Sequence, residues 1–213
     1  MACCNSPSSE AGRFFSWLAR LSCRHYQKKG PGKSQRQLLE GIRAQHIGGA
    51  SVLEIGCGVG YLHQILLNDG AAGATGVDLS ARMLEQARAL ARNRGLESKT
   101  DYRLGDFVVL ADELPPADVT VLDKVVCCYP DAQALVGRSL EKTRRVYALT
   151  YPRPHLFNRI LTAVEAAALR LIRCHFRPYV HDPADIERWI LGRGFRKQVQ
   201  RTTWIWLTQV YVR

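Results

Sequence analysis

The sequence predicts an α/β protein in which strands and helices alternate along an open sheet, and three motifs in order support this prediction. The first is an apolar run at 52–55 followed by glycines at the alternate positions 56, 58 and 60. The second and third are strands that end in acids, at Asp78 and Asp106. A strand, a glycine turn and a helix together form the first unit of nucleotide-binding α/β sheets.

The glycine loop favours close approach of a ligand to bare backbone, because glycine has no Cβ atom. The dinucleotide fingerprint would place its third glycine at position 61, but Tyr61 stands there and Gly60 comes one residue early. No Lys-Ser or Lys-Thr pair follows the glycines, so a phosphate loop is excluded. A helix with apolar residues on one face is expected over 61–68, ending before Gly70.

The second strand, from Ala74, ends at Asp78, about 20 residues beyond the first glycines, where a carboxylate can accept both hydroxyls of a ribose. The alternative role for Asp78 is to cap the next helix, expected over 81–94. Ser80 already fills that role, and the ribose interpretation is therefore favoured.

The third strand, Tyr102–Leu104, leads into Gly105, Asp106 and Phe107. Such an acid can accept a hydrogen bond from an exocyclic amine, and the ring beside it can stack on a purine. Gly-Asp is also a common turn pair, so this motif alone is weak evidence for a purine site. It becomes more specific because it follows the other two motifs in order.

The alternation continues to the C-terminus. Strands are expected at 118–123 (continuing through 125–126), 145–150, 195–201 and 204–212, and helices at 131–140, 156–174 and 184–191. The apolar residues of the last strand drift between its two faces, which predicts a bulge there.

The three motifs resemble those of the class I S-adenosylmethionine-dependent methyltransferases, in the residues Glu54-Ile55-Gly56-Cys57-Gly58-Val59-Gly60, Gly76-Val77-Asp78-Leu79-Ser80 and Gly105-Asp106-Phe107. The resemblance implies a Rossmann-like seven-stranded methyltransferase sheet with helices on both faces. It also implies methyltransferase activity with S-adenosyl-L-methionine as the cofactor. It says little about the acceptor.

The same resemblance implies roles for single residues. Gly56, Gly58 and Gly60 would pack under the methionine and ribose of the cofactor, with Cys57 in the same loop. Asp78, followed by Leu79, would hold the ribose hydroxyls. Asp106, followed by Phe107, would hold the adenine amine. Glu54 would shape the loop and lie near the methionine amino group.

The length of 213 residues predicts one compact domain. The seven cysteines lack metal-ligand spacing and include two adjacent pairs, at 3–4 and 127–128, which favours reduced thiols in a cytoplasmic protein without a metal. The net charge of +11 is concentrated in the segments 1–50 and 131–213. It indicates either an anionic acceptor or docking partner, such as a carboxylate, phosphate, lipid headgroup or RNA, or a basic surface without a partner.

The first fifty residues are predicted to contain a disordered tail (1–12) and a helical lid (13–50) before the methyltransferase domain (51–213). Apolar residues at 14, 17, 18 and 21 predict an amphipathic helix over 13–24, and a second helix is expected over 34–46. Because this region is rich in Arg and Ser and has few acids, an organelle transit peptide or a peripheral membrane helix is the alternative to a lid.

Candidate catalytic residues follow from where ligands bind in such sheets, beyond the carboxyl ends of the strands. Asp123 ends the fourth strand and could hold the cofactor's amino group or act as a base, or it could be a structural acid. Tyr129 could orient an acceptor or be a packed ring. His155, just past the fifth strand, is the first choice for a general base, before His181 and His25.

The stretch Leu122-Asp123 followed by apolar residues and Tyr129-Pro130 resembles the magnesium-protoporphyrin O-methyltransferases, which methylate a propionate of a large anionic ring. This chain departs from their pattern by one extra residue before Tyr129 and by Cys128 in the place of histidine.

Three functions are compatible with the sequence. The favoured one is O- or N-methylation of a small or medium amphiphilic acceptor. The second is RNA methylation. Base-directed enzymes carry an Asn/Asp-Pro-Pro-Tyr motif at this point, whereas this chain has Asp-Lys-Val-Val at 123–126, which argues against that subclass. The third is a non-catalytic scaffold that retains the cofactor site.

Overall fold

The computed structural model describes residues 28–171 and 178–213. Within them, seven strands form a single sheet: β1 Ser51–Ile55, β2 Gly73–Asp78, β3 Thr100–Leu104, β4 Ala117–Asp123, β5 Thr143–Pro152, β6 Arg196–Thr202 and β7 Trp206–Val212. The described helices are α1 Lys33–Arg43, α2 Tyr61–Asn68, α3 Ala81–Asn93, α4 Phe107–Leu110, α5 Ala132–Glu141, α6 Leu156–Leu171 and α7 Pro183–Leu191. No helix in this part of the chain combines the length and the apolar character needed to cross a bilayer.

The strand order across the sheet is β3-β2-β1-β4-β5-β7-β6. Strands β1 to β5 pair in parallel, whereas β7 runs antiparallel to both β5 and β6. The order reverses between β1 and β4, and ligands of open α/β sheets bind at such a reversal, beyond the carboxyl ends of the strands.

Both faces of the sheet are covered by helices, as the sequence predicts. One core cluster joins α1, α2 and α3 to the sheet through residues such as Leu38, Leu66 and Leu84. The other joins α5 and α7 to the opposite face through residues such as Leu135 and Ile186. Burial on two faces explains the nearly continuous apolar runs of the central strands.

The fourth strand ends earlier than the sequence predicts. The apolar residues Val125 and Val126 suggest that it continues, but β4 stops at Asp123. Lys124 then adopts a left-handed backbone with φ of 61°, and a 3-10 turn occupies Val126–Cys128. The two valines are therefore part of a turn in which Val126 is buried and Val125 is half-buried, and this turn forms one wall of the cleft described below.

The predicted bulge exists, but it lies in β6 and not in the last strand. The register shift between β6 and β7 lies in β6, between Lys197 and Val199. The apolar residues of β7 drift between faces because residues 207–211 are all buried on both faces of the sheet. The strand starts at Trp206 because a turn precedes it, in which the Thr203 N–H donates to the Trp206 carbonyl at 2.8 Å.

The predicted helix over 34–46 is α1 and ends at Arg43. The predicted tail 1–12 and the amphipathic helix over 13–24 lie outside the described residues. The predicted helix 156–174 is observed up to Leu171, where the described part of the chain is interrupted.

Candidate active site

The cleft of interest lies at the carboxyl ends of β1, β2 and β4. Two adjoining cavities of about 250 and 130 Å³ share Gly56, Gly58, Met83 and Asp123 in their walls. Asp78 and Tyr129 also line the larger cavity, and Gln35 and Glu54 line the smaller one. Two of the three loop glycines and the strand-end acids Asp78 and Asp123 therefore converge on one site.

The glycines of the loop all have positive φ, but their surroundings differ. A Cβ atom on Gly58 would meet no atom within 4 Å, and this residue presents bare backbone to the cleft. A Cβ atom on Gly56 would lie 2.4 Å from Val125, and one on Gly60 would lie 2.8 Å from the ring of His63. Gly60 does not line the described cavities, so its predicted place beneath a ligand has no support in this geometry.

Cys57, between two of these glycines, is buried, and its N–H donates to the Val77 carbonyl at 3.0 Å. Burial raises the pKa of its thiol well above the usual value, and the nearby carboxylates of Asp78 and Glu54 raise it further. The side chain is therefore a neutral packing group that also reaches the wall of the smaller cavity.

Asp78 braces the glycine loop from the end of β2. One carboxylate oxygen accepts the Gly58 N–H at 2.8 Å, and the other accepts the Ser80 N–H at 2.8 Å. Burial raises the pKa of Asp78, and the two N–H groups offset part of that rise. Ser80 caps α3 through the Met83 N–H, as the sequence predicts, so Asp78 remains available to the cleft that it and Leu79 line.

Asp106 has a partner that the sequence does not reveal. Its carboxylate caps α4 by accepting the Val108 N–H at 2.9 Å, and both of its oxygens lie 3.1 Å from the Tyr129 hydroxyl. Burial and the negative charge of Asp106 raise the pKa of Tyr129, which therefore stays protonated and donates. A ligand amine at Asp106 would share the carboxylate with this hydroxyl.

Phe107, beside Asp106, is 4% exposed and belongs to the core beneath the sheet. It also reaches a small cavity of about 50 Å³ together with Asp78, Asp106 and Tyr129. Its predicted stacking on a purine stays a prediction.

A buried polar network supports the loop from below, and sequence reasoning missed it. The carboxylate of Glu54 lies 2.6 Å from Nδ1 of His63 and accepts the His63 backbone N–H at 3.1 Å. The Nε2 atom of His63 lies 3.0 Å from the Tyr102 hydroxyl, to which Gln64 also donates at 3.1 Å. Burial raises the pKa of Tyr102 to about 12. Both His63 and Glu54 are buried. The signal in the sequence is His63 itself, because a polar residue on the buried side of a short helix needs a hydrogen-bond partner.

Asp123 lines both cavities, and one of its carboxylate oxygens is buried without a hydrogen-bond partner among the described residues. Its Oδ2 accepts from Nε2 of Gln35 at 2.8 Å, whereas its Oδ1 is buried and makes no hydrogen bond there. Burial raises the pKa of Asp123, and the charge of Lys124 offsets part of that rise. Because Gln35 comes from α1, this helix forms part of the cleft wall.

Two of the candidate histidines, His155 and His181, do not line the described cavities. The Nε2 atom of His155 lies 2.8 Å from the Trp204 carbonyl, and its Nδ1 accepts the Asn158 N–H at 3.4 Å. Both ring nitrogens are thus engaged, and the predicted role of His155 as a base has no support in this geometry. His181 lies closer to the cleft, with Nε2 3.0 Å from the Tyr129 carbonyl. His25 lies outside the described residues.

Known proteins that are similar in sequence to this chain include methyltransferases. A family described as a methyltransferase domain matches residues 52–148. A ribosomal protein L11 methyltransferase from Marinobacter nauticus is 30% identical over 75% of this chain, which spans 49% of that relative's length. A ubiquinone biosynthesis O-methyltransferase from Xanthomonas euvesicatoria is 27% identical over 90% of this chain and 82% of its own length.

Solved structures agree with the fold. Magnesium protoporphyrin IX methyltransferase from Synechocystis PCC 6803 superposes with a TM-score of 0.73 at 20% identity, covering 95% of this chain and 98% of that one. At this identity the likeness confirms the seven-stranded α/β fold and leaves the acceptor open.

Proposed function

We propose that the chain is a class I S-adenosylmethionine-dependent methyltransferase that methylates an oxygen atom of a small or medium amphiphilic acceptor. It is an enzyme whose cofactor is S-adenosylmethionine, and when bound this cofactor supplies a methyl group on a positively charged sulfur.

The described residues of the cleft fit this cofactor. Gly58 leaves open space where any other residue would have a Cβ atom, so a ligand can lie directly on its backbone. The carboxylate of Asp78 is fixed by two N–H groups and can accept the two ribose hydroxyls. The unpartnered Oδ1 of Asp123 can accept from an amino group, which would satisfy a buried oxygen that otherwise lacks a hydrogen bond.

The cofactor assignment rests above all on the bond between Asp78 and the Gly58 N–H. It holds the loop in a left-handed conformation and places a carboxylate beside the bare backbone. Methyl transfer to an acceptor is an in-line displacement, and a protein accelerates it mainly by alignment and by excluding water. Gln35, which donates to Asp123 from α1, places a helix over the smaller cavity and so contributes to that exclusion.

Two observations support methylation of an oxygen atom on an amphiphilic molecule: the residues that line the larger cavity and the names of the similar proteins. Apolar side chains, including those of Leu79, Met83 and Val125, share its wall with Asp78 and Asp123. One relative is an O-methyltransferase of ubiquinone biosynthesis, and a protein of the same fold is a magnesium protoporphyrin methyltransferase.

The experiment is transfer of an isotopically labelled methyl group from the cofactor to extracts separated into small molecules, protein and RNA. The proposal expects label in small molecules and mass spectra that place the methyl group on oxygen. The Asp78→Ala variant is the control and should transfer no label. Label found in RNA or protein would contradict the acceptor class, and its absence from every fraction would favour a non-catalytic scaffold.

A further inference from the structure

Lys124 occupies an unusual backbone position at the edge of the cleft. It is not a glycine, yet its φ is 61°, a conformation that costs free energy for residues with a Cβ atom and occurs often at functional sites. The surrounding structure holds it there. The Lys124 N–H donates to the Thr150 carbonyl at 2.8 Å, and its carbonyl accepts from the thiols of Cys127 at 3.4 Å and Cys128 at 3.5 Å.

Lys124 adds a positively charged residue to the wall of a cleft whose other charged residues, among those described, are acids. Among the described residues, it is the one lysine or arginine in the walls of these cavities, and it lines the larger cavity with Asp78 and Asp123. Its ammonium nitrogen lies 5.0 Å from the centre of the Trp206 ring, within the range of a cation–π contact. Trp206 belongs to β7 and is not among the residues that line these cavities, so it could meet only a part of a ligand that extends beyond them.

The carboxylates of Asp78 and Asp123 and the ammonium group of Lys124 have opposite charges, so they suit different ligands. A cofactor that carries a positive sulfur is attracted by the carboxylates of Asp78 and Asp123 and repelled by an ammonium group. Lys124 is also absent from the smaller cavity, which contains Glu54 and Gln35. Its charge therefore suits a different ligand, one that is negative and has an apolar part to pack near an indole ring.

We propose that Lys124 and Trp206 form the acceptor subsite and that the Lys124 ammonium binds the anionic oxygen, a carboxylate or phenolate, that receives the methyl group. This inference rests on the proposed function. In the reaction, a lone pair of the oxygen forms the new bond to the methyl carbon while the carbon–sulfur bond breaks and its electron pair stays on sulfur. The negative charge of the oxygen is consumed, so no proton has to leave.

An ammonium group beside the oxygen would also favour the reaction at cavities that no histidine of the described residues lines. A positive charge lowers the pKa of a nearby phenol or carboxylic acid and increases the fraction present as the nucleophile. In the described part of the chain, both ring nitrogens of His155 are engaged elsewhere, and Nε2 of His181 contacts the Tyr129 carbonyl. Lys124 is thus a positioning and specificity residue that acts through its charge.

The test uses two probes of the same shape, naphthalene-2-carboxylate and naphthalene-2-carboxamide, which differ in charge. Their affinities are measured by calorimetry on the full-length chain saturated with S-adenosylhomocysteine. The wild type should bind the carboxylate at least tenfold more tightly than the amide. Lys124→Asn should reduce this ratio to about one, and Lys124→Arg should retain most of it.

Asparagine and glycine tolerate the left-handed backbone, so charge is removed without added strain. Lys124→Asn should melt within a few degrees of the wild type, and Lys124→Gly is the second variant if it does not. S-adenosylhomocysteine should bind all variants within twofold of the wild type. A wild type without preference for the carboxylate, or a Lys124→Asn variant that keeps the preference, would overturn the proposal. A selective loss of S-adenosylhomocysteine affinity in Lys124→Asn would overturn it too, because the lysine would then serve the cofactor.

Failure of the wild type to bind S-adenosylhomocysteine would be a different result. It would contradict the proposed function itself, since the cofactor site would then be wrong, whatever the probes do.

Discussion

Substitution of Gly58 by alanine separates the cost of backbone strain from the cost of filling the ligand site. The φ of Gly58 is 53°, and a left-handed residue with a Cβ atom costs about 1–2 kcal/mol. No atom lies within 4 Å of the new methyl group, so no packing penalty is added. For a protein of this size, the expected decrease in melting temperature is about 2–4 °C per kcal/mol.

The effect on the cofactor should be much larger, because the added methyl group would occupy the surface on which the ligand lies. We expect the affinity for S-adenosylhomocysteine, measured by calorimetric titration, to fall at least tenfold, or by about 1.4 kcal/mol. Gly95→Ala is the matched control, because Gly95 has a φ of 66° and also has open space around it, but lies in the turn after α3. It should lose similar stability and bind normally. Unchanged binding by Gly58→Ala would refute the placement of the ligand on this backbone.

Three further predictions concern the acids and the network around the loop. Asp78→Ala should weaken S-adenosylhomocysteine binding at least tenfold in calorimetry, because charged hydrogen bonds to the ribose are lost; Asp101→Ala, at an exposed acid of β3, should not. His63→Ala should cost about 1–3 kcal/mol in chemical denaturation, because the buried Glu54 side chain loses its hydrogen-bond partner; an unchanged stability would contradict this. Burial raises the pKa of Asp123, so its ionised form costs stability once the pH exceeds that pKa. Asp123→Asn should therefore raise the melting temperature at pH 8 and have little effect at pH 3, and an equal effect at both values would contradict the assignment.

The first half of the fold is predictable because its signals are local. The helix α2 begins and ends where the sequence predicts, at Tyr61 and Asn68, since a glycine turn precedes it. Ser80 caps α3 as expected because its hydroxyl reaches a backbone N–H three residues away. Such contacts lie within one turn of the chain and leave a clear pattern in the residue order.

The parts that could not be predicted depend on contacts between distant residues. Glu54 and His63 pair across the loop, and the Tyr129 hydroxyl reaches Asp106 from 23 positions away. No periodic pattern encodes either contact. The end of β4 was missed for another reason, since a left-handed conformation at Lys124, a non-glycine residue, contradicts its local preference. Such a conflict between local preference and structure is expected where function imposes it.

The central claim is that Asp78 and the bare backbone of Gly58 hold the ribose and methionine parts of S-adenosylmethionine. A crystal structure of the chain with S-adenosylhomocysteine tests it most directly. We expect ribose hydroxyl oxygens within about 3 Å of the Asp78 carboxylate, which is hydrogen-bond distance. A ligand bound elsewhere, or an Asp78 side chain that points away from the sugar, would contradict it.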